Sequence, residues 1–222
     1  HSVDEMAAYI CWCMSHLGPG AMKQVVGKTY DLKNAYKQYG IRSQDRELLR
    51  LAVWDACAKK VRLMGANALP FGAVGSVGAF LRVSMAVWYI GVVGLRLCWT
   101  SFFDDYTLLS KQANSKSAEV SAETLFNLLG LQFATEGKKA VAWSCKVKTL
   151  GVLIDLDPAG SGGNLVTVGH TDSRIAELQH SLDEILREKK MSRKDAEKLR
   201  GRLQWFERFA QGRIAQQALR VI

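Results

Sequence analysis

Two adjacent aspartates, Asp104 and Asp105, stand between two runs of aromatic and aliphatic residues at positions 95–99 and 106–109. Such runs are typical of β-strands, so the pattern predicts a hairpin with an acidic tip. Neighbouring carboxylates repel one another unless a cation is present, and Mg²⁺ prefers carboxylate oxygen atoms. Aspartate is also a common turn residue that is usually only solvated, so the pair alone does not establish a site.

A third carboxylate from another strand would make a metal site more specific. Asp31 is the candidate, because it lies near the end of a short predicted strand at residues 28–32. Three carboxylates can hold two metal ions, of which one activates an attacking oxygen atom and the other stabilises the leaving group of a phosphoryl transfer. These residues therefore suggest metal-assisted phosphoryl transfer.

Four motifs that include these aspartates resemble the motif series of reverse transcriptases, and most of all that of retrotransposon polymerases. They are Tyr-Asp-Leu-Lys-Asn-Ala-Tyr-Lys-Gln at residues 30–38, Leu-Pro-Phe-Gly at 69–72, Phe-Phe-Asp-Asp at 102–105 and Leu-Gly-Val at 150–152. The resemblance extends over residues 25–215, nearly the whole chain. No single motif is decisive, but four in the right order at plausible separations form a strong joint signal.

The resemblance implies a catalytic metal site. Asp31 matches the first aspartate of the polymerase palm, and Asp104 and Asp105 match the pair of the Tyr-x-Asp-Asp box, in which Phe102 replaces the usual tyrosine. These three aspartates would be catalytic and, together with Leu32, would hold two Mg²⁺ ions, with Mn²⁺ able to substitute. The replacement at Phe102 leaves the carboxylates intact, so we do not expect it to inactivate the protein.

The resemblance also implies a nucleotide-binding site. Tyr36 matches the aromatic steric gate, whose ring would occupy the space of a ribose 2′-hydroxyl and so favour deoxynucleotides. A core aromatic is an equally weighted interpretation of Tyr36. The turn that positions the templating base and the incoming nucleotide is matched by Leu69, Pro70, Phe71 and Gly72. The same turn also suits the start of a helix, and both roles can hold together.

Three further matches concern the triphosphate, the primer and the duplex. Lys139 stands where the family has a lysine near the triphosphate, although Lys138 is equally close and a solvated surface lysine is the other interpretation. The hairpin at 149–168 resembles the primer grip, and the helices after residue 170 resemble the thumb. In these two elements the predicted primer and template contacts are Leu150, Gly151, Arg200 and Arg202.

Charge supports a polyanionic partner. The 222-residue chain carries a net charge of +9, and residues 187–213 hold ten Lys or Arg against four Asp or Glu. In a thumb, this basic segment would follow the phosphate backbone of a duplex, giving salt-dependent and sequence-independent affinity.

Composition limits the class of protein. An apolar content of 48% with only three prolines excludes a disordered, collagen-like or low-complexity chain. The longest uncharged apolar run, residues 83–95, is shorter than the roughly 18–20 residues that cross a bilayer, so we expect a soluble protein without a membrane partner. Five cysteines beside apolar neighbours indicate reduced, mostly buried thiols and an intracellular location, cytoplasmic or nuclear.

These observations predict an α+β fold, a polymerase palm with an antiparallel sheet and packed helices, followed by a helical thumb. The predicted domains are a palm with partial fingers at 1–170 and a thumb or connection segment at 171–222. Helical spacing marks residues 76–89, 118–129, 173–189 and 192–210, whereas 44–58 has no clear periodicity. Only Lys23 and Lys28 precede Asp31 as basic residues, so we expect truncated fingers.

The predicted function is that of a retroelement RNA-directed DNA polymerase, a monomeric nucleotidyltransferase that acts on a template–primer duplex and deoxynucleoside triphosphates. An alternative is a weak or inactive relic that still binds nucleic acid, which the short fingers favour and the three retained aspartates oppose. An RNA-templated RNA polymerase is a third interpretation, opposed by Tyr36, because such an enzyme should have a smaller residue there.

Overall fold

The chain divides into two compact units, His1–Ser144 and Cys145–Ile222. The computed structural model describes Ala8, Ile10, Trp12 and residues 25–137, 140–157 and 166–207. The strands between 146 and 170 pair with one another in a sheet of their own, within the second of these units. The palm–thumb boundary near residue 170 stays a prediction.

The first unit has an antiparallel sheet with helices packed on it. Its elements are β1 (Val25–Asp31), β2 (Arg50–Asp55), β3 (Lys60–Gly65), α1 (Val74–Tyr89), β4 (Cys98–Phe102), β5 (Asp105–Lys111) and α2 (Ser115–Leu128). Short 3₁₀ turns lie at Ala35–Gln38, Ser43–Leu48 and Gln112–Asn114. The main sheet has the strand order β1-β5-β4. The predicted α+β class is therefore confirmed.

Side chains along β1 and β5 point alternately to the face of the main sheet that the helices cover and to the opposite face. Tyr30 and Tyr106 are cross-strand partners, and both rings make edge-on contacts with Phe126 of α2. Residues that follow each other in a strand point to opposite faces. Asp31 and Asp105, which follow and precede these tyrosines, therefore face away from the aromatic core.

A reciprocal pair of tryptophans joins α1 to β4. The indole nitrogen of Trp88 donates to the carbonyl oxygen of Trp99 at 3.0 Å, and the indole nitrogen of Trp99 donates to the carbonyl oxygen of Trp88 at 3.1 Å. Beyond α1 the chain continues as a π-helical turn, Ile90–Gly94, whose Gly91 lies directly against the Trp99 indole. Helix and strand are thereby fixed to each other at this end.

One helix among the described residues, Val74–Gly94, is long and apolar enough to cross a membrane, judged by length and composition alone. The apolar run at residues 83–95 begins only after Arg82, whereas the helix starts at Val74 and continues through this arginine. Its buried residues, Ser76, Phe80, Ser84 and Val87, belong to the interior of the first unit. This helix is thus a structural part of the site's support.

Strands β2 and β3 form a separate two-stranded ribbon, which was not predicted from the sequence. Nearly all of its residues are exposed, including Trp54, Val61 and Leu63. A ribbon exposed on both faces needs no apolar–polar alternation, which is why residues 44–58 lacked a recognisable period.

The second unit contains a small antiparallel sheet and two helices. Its elements are β6 (Lys146–Thr149), β7 (Val152–Asp155), β8 (Thr167–His170), α3 (Asp172–Glu188) and α4 (Arg193–Glu207). Strand β7 pairs with both β6 and β8, so the predicted hairpin is present. Leu150 and Gly151 have φ values of 50° and 77°, which is the type I′ geometry of a two-residue hairpin turn.

The cysteines are less buried than expected. Cys57 and Cys145 are exposed and Cys98 is half-buried, while Cys11 and Cys13 lie outside the described residues. The prediction of mostly buried thiols is therefore wrong for two of the three cysteines that the structure describes, because Cys57 falls in the ribbon turn and Cys145 at the junction of the units.

Candidate active site

The register of the main sheet brings the predicted catalytic aspartates to one end of it. Asp31, the last residue of β1, is the cross-strand partner of Asp105, the first residue of β5. Phe102 of β4 is the partner of Asp105 on the other side. Residues paired in this way have Cβ atoms about 4.5–5.5 Å apart on the same face, so these three side chains form one row.

Asp104 lies in the two-residue turn between β4 and β5. Phe103, the first residue of this turn, has a φ of 53°, and its carbonyl oxygen accepts a 2.6 Å hydrogen bond from the Ser84 hydroxyl of α1. The carbonyl oxygen of Asp104 accepts a 3.1 Å hydrogen bond from the backbone N–H of Leu32. The acidic turn is thus anchored to the buried helix on one side and to the end of β1 on the other.

The donor set suits a hard cation, although its side chains do not form a finished coordination shell. Three carboxylates at one sheet end are the oxygen ligands that Mg²⁺ prefers. The side chain of Leu32 is buried, so only its backbone carbonyl could take part. In the part of the chain that the structure describes, no three His, Cys, Asp or Glu side chains are gathered closely enough to hold a metal ion. The metal site remains a prediction.

A cavity of about 1,060 Å³ adjoins the aspartates. Its volume is slightly above the roughly 300–1,000 Å³ of typical ligand pockets. The predicted site residues that line it are Asp31, Leu32, Tyr36, Leu69, Pro70, Phe71 and Asp104. The structure therefore brings four of the six predicted nucleotide-binding residues together with two of the three aspartates.

Three of the predicted catalytic and nucleotide-binding residues are not among those lining this cavity. Asp105 occupies the neighbouring position in the sheet, beside Asp31. Gly72 has a φ of 90° and shapes the turn that carries Phe71. Lys139 lies outside the described residues, as does Lys138.

The ring of Tyr36 is held from two sides. It stacks on the buried ring of Phe80 at a centroid distance of 4.6 Å and meets the ring of Phe71 edge-on at 5.5 Å. Phe71 itself is 89% exposed. Tyr36 therefore packs against the core and also lines the cavity, and its role as a steric gate stays a prediction.

Two tyrosines behind the acidic turn have raised pKa values. Burial, followed by the nearby Asp104 carboxylate, raises the pKa of Tyr39. Burial likewise raises the pKa of Tyr106 well above its usual value. Both phenols therefore resist ionisation even in alkaline solution.

Several cavity residues were not predicted from the sequence. Lys33 and Lys37 line the cavity, as do Asn67 and Glu136. The two lysines were visible in the first motif, but their spacing alone could not show on which side of the turn they would lie.

The predicted primer-binding residues belong to the second unit. Leu150, Gly151 and Arg202 share a cavity of about 450 Å³ with two further cationic side chains, Lys148 and Arg174. The Arg174 guanidinium lies so close to Gly151 that a Cβ there would be 2.6 Å from its Nε atom.

The other predicted contact of this unit, Arg200, is exposed on α4 but is not among the residues that line this cavity. Arg202, in contrast, lines the cavity, and its guanidinium donates a 2.6 Å hydrogen bond to the Ser181 hydroxyl of α3. The cationic cavity is therefore built from the β6–β7 turn and both helices of this unit.

No protein-family model matches this chain, and no curated protein matches it in sequence. Three solved structures of foamy viral protease-reverse transcriptase are similar to it in fold, each at 16% sequence identity. One, in complex with an RNA/DNA hybrid, has a TM-score of 0.58 over 84% of this chain. The other two, with double-stranded DNA, have TM-scores of 0.56 and 0.54 over 82% and 84%. The chain spans 22–34% of the length of these proteins, and its fold is reverse-transcriptase-like.

Proposed function

We propose that this chain is the RNA-directed DNA polymerase domain of a retroelement, of retrotransposon type by its motifs. The observation that carries the proposal is the single cavity in which Asp31 and Asp104 meet Tyr36 and Phe71. Nucleotidyl transfer to a primer requires metal-binding carboxylates, and an aromatic ring beside them would select the sugar of the incoming nucleotide. In this reaction the primer 3′-hydroxyl attacks the α-phosphate of a deoxynucleoside triphosphate and pyrophosphate leaves.

Catalysis of this kind consists of positioning and charge neutralisation, with little covalent chemistry for the protein. Asp31, Asp104 and Asp105, with the backbone of Leu32, would hold two Mg²⁺ ions, which supply charge neutralisation when bound. The hydrogen bonds from Ser84 and Leu32 fix the turn that carries Asp104.

Tyr36 is the residue that would select the sugar of the incoming nucleotide. Its ring cannot retreat from a 2′-hydroxyl without displacing Phe80 from the core, because the two rings are stacked. We infer that deoxynucleotides are preferred, and this packing argues against an RNA-templated RNA polymerase.

The template–primer duplex is the proposed macromolecular partner. The structures with the same fold hold double-stranded DNA or an RNA/DNA hybrid. In this chain the cavity of the second unit presents Lys148, Arg174 and Arg202, and Arg200 adds an exposed cation on α4. Such side chains bind backbone phosphates without reading sequence. We further propose that the protein is a monomer within the cytoplasm or nucleus.

Primer extension tests the proposal. The chain is incubated with an RNA template, a DNA primer, deoxynucleoside triphosphates and Mg²⁺ or Mn²⁺, beside Asp104→Asn and a matched Asp183→Asn variant from α3. Loss of a metal-binding carboxylate removes several kcal/mol of transition-state stabilisation, so extension should fall at least about a hundredfold in Asp104→Asn. Asp183→Asn should extend normally. Equal extension by both variants would contradict the assigned site.

A second candidate function is nucleic-acid binding without catalysis. It is favoured by the lack of a ligating group of three side chains among the described residues. The same experiment separates the two functions, because a chain that binds duplex in a salt-dependent manner but extends no primer would support this second function.

A further inference from the structure

The cavity beside the aspartates has a cationic side that has no assigned role. Lys33 and Lys37 both line it, and both side chains are exposed. No other Lys or Arg is among the residues that line it in the described part of the chain. Neither lysine forms an ion pair within the described residues.

Lys28, the basic residue of β1, makes its contacts outside the cavity. Lys28 lies three residues before Asp31, on the helix-covered face, where it contacts Glu119 and lies 3.3 Å from Glu123 of α2. Its ammonium group also lies 4.9 Å from the centre of the Tyr30 ring. Lys28 therefore cannot serve a ligand in the cavity without breaking these contacts.

A carboxamide clamp fixes the turn that carries the two lysines. The Gln38 side-chain nitrogen donates to the carbonyl oxygens of Lys33 at 2.5 Å and of Gln132 at 2.8 Å. The Gln38 side-chain oxygen accepts a 2.7 Å hydrogen bond from the backbone N–H of Gln132. All hydrogen-bonding groups of this amide are used in tying residues 33–38 to the segment after α2.

The same turn has a constrained backbone. Asn34 and Ala35 have φ values of 55° and 25°, which side-chain-bearing residues rarely adopt. Such conformations persist where the surrounding structure enforces them, and they concentrate at ligand sites. Here they reverse the chain immediately after Asp31, so that Lys33 and Lys37 both reach one cavity.

The cavity holds charges of both signs, and Glu136 adds a third carboxylate to those of the two aspartates. Asp31 and Asp104 lie at the sheet end, and the lysines lie on the adjoining turn. A nucleoside triphosphate matches this arrangement, because its α-phosphate must lie beside the aspartates while the terminal phosphates carry most of its negative charge. Lysine binds phosphate as a flexible point charge.

We propose that Lys33 and Lys37 bind the β- and γ-phosphates of the incoming deoxynucleoside triphosphate, with Gln38 as the positioning residue of their turn. This inference rests on the proposed polymerase function and assigns its triphosphate contacts to the segment that directly follows Asp31.

Nucleotide binding tests the proposal separately from catalysis. The whole chain on a chain-terminated primer–template, with Ca²⁺ in place of Mg²⁺, is titrated with dATP and with dAMP. The variants are Lys33→Gln, Lys37→Gln, the double variant, a double Lys→Arg variant, and Lys59→Gln in the exposed ribbon turn as the control. Each single variant should weaken dATP binding about 5- to 20-fold, because a charge-assisted hydrogen bond to phosphate is lost and the exposure of the lysine moderates its strength.

The dependence on phosphate number distinguishes a phosphate contact from a general loss of structure. The double variant should weaken dATP binding more than either single variant while changing dAMP binding less than about twofold. The double Lys→Arg variant should retain dATP affinity, and Lys59→Gln should match the parent chain. In primer extension, KM for dATP should rise more than kcat falls.

Two outcomes would overturn the proposal at different levels. If the parent chain extends primers and the double variant binds dATP within twofold of it, the lysine assignment is wrong and the polymerase proposal stands. If the parent chain neither extends primers nor binds dATP, the polymerase proposal fails together with the lysine assignment.

Discussion

The Ser84 hydroxyl donates its single proton to the carbonyl oxygen of Phe103, at 2.6 Å. The Tyr106 hydroxyl lies 3.1 Å from the same serine oxygen and donates to the Ser84 backbone carbonyl oxygen at 3.3 Å. Since Phe103 precedes Asp104, a buried chain of hydroxyl groups supports the acidic turn from behind.

Replacing Ser84 with alanine should therefore destabilise the protein and weaken its activity. The change leaves the Phe103 carbonyl without its donor, at a cost of about 1–3 kcal/mol in the free energy of unfolding. Chemical denaturation measures this cost. Ser76→Ala, a buried serine two helical turns away on α1, is the control and should change stability less. Equal effects of the two variants would show that the turn does not depend on Ser84.

Replacing Tyr36 with alanine should remove sugar discrimination. The ring is fixed between Phe80 and Phe71, so its loss opens space for a 2′-hydroxyl. We expect the ratio of ribonucleotide to deoxynucleotide incorporation to rise about 10- to 200-fold, the range of a pocket contact of 1–3 kcal/mol. Tyr36→Phe keeps the ring and should keep the discrimination; a large rise in this variant would contradict a steric gate.

Gly91→Ala should destabilise the first unit strongly. A Cβ at this position would be 2.1 Å from the Trp99 ring, and that ring is held by the reciprocal hydrogen bonds with Trp88. Overpacking of this kind costs about 1–3 kcal/mol or more. In Gly94→Ala the nearest atom, from Ile90, is 3.9 Å away, so the melting temperature of this control should change little.

The contact between Lys28 and Glu119 should make stability depend on pH in the acid range. The hydrogen bond from Lys28 holds the pKa of Glu119 below its ordinary value of 4.5. A lowered folded-state pKa stabilises the protein above the ordinary pKa, and this contribution disappears as the pH falls through the folded-state value.

The test compares the parent chain with Glu119→Gln in urea unfolding at several pH values. The parent should be more stable by about 1 kcal/mol at pH 7, and the difference should vanish as the solution is acidified below pH 4.5. Glu47→Gln, at an exposed position of the same unit, should show no such trend. A difference that is constant with pH would show that the ion pair is not its source.

Arg202→Gln should weaken duplex binding without altering its sequence preference. Removal of one phosphate contact lowers the salt dependence of the binding constant by about one unit of logarithmic slope. Titration of a labelled RNA/DNA hybrid at several salt concentrations gives this slope. Glu188→Gln, on the exposed end of α3, should not reduce it; an unchanged slope in Arg202→Gln would remove Arg202 from the interface.

Sequence patterns predicted the elements of the fold that depend on interactions between residues close together in the chain. The acidic hairpin appears as predicted, with strands ending at Phe102 and beginning at Asp105, because apolar runs on both sides of a turn specify a hairpin by themselves. The helix predicted at residues 118–129 is found at Ser115–Leu128, because helical spacing of apolar residues is also a local pattern.

Contacts between segments that are far apart in the sequence could not be predicted from such local patterns. The support of Ser84 for the acidic turn depends on how α1 packs on the sheet, and the placement of Lys33 depends on Gln38 meeting Gln132. The boundary between the units likewise depends on which strands pair, and residue 170 is the end of β8 and not of the first unit.

The pairing of Asp31 with Asp105 has a kinetic consequence. The ribbon and α1 lie between these residues in sequence, so joining β1 to β5 closes a long loop, whereas the ribbon and the β4–β5 hairpin close short ones. Loop closure costs entropy that grows with length, and long-range pairings slow folding. The cavity requires that pairing, so nucleotide binding should not appear during refolding before β1 has joined β5.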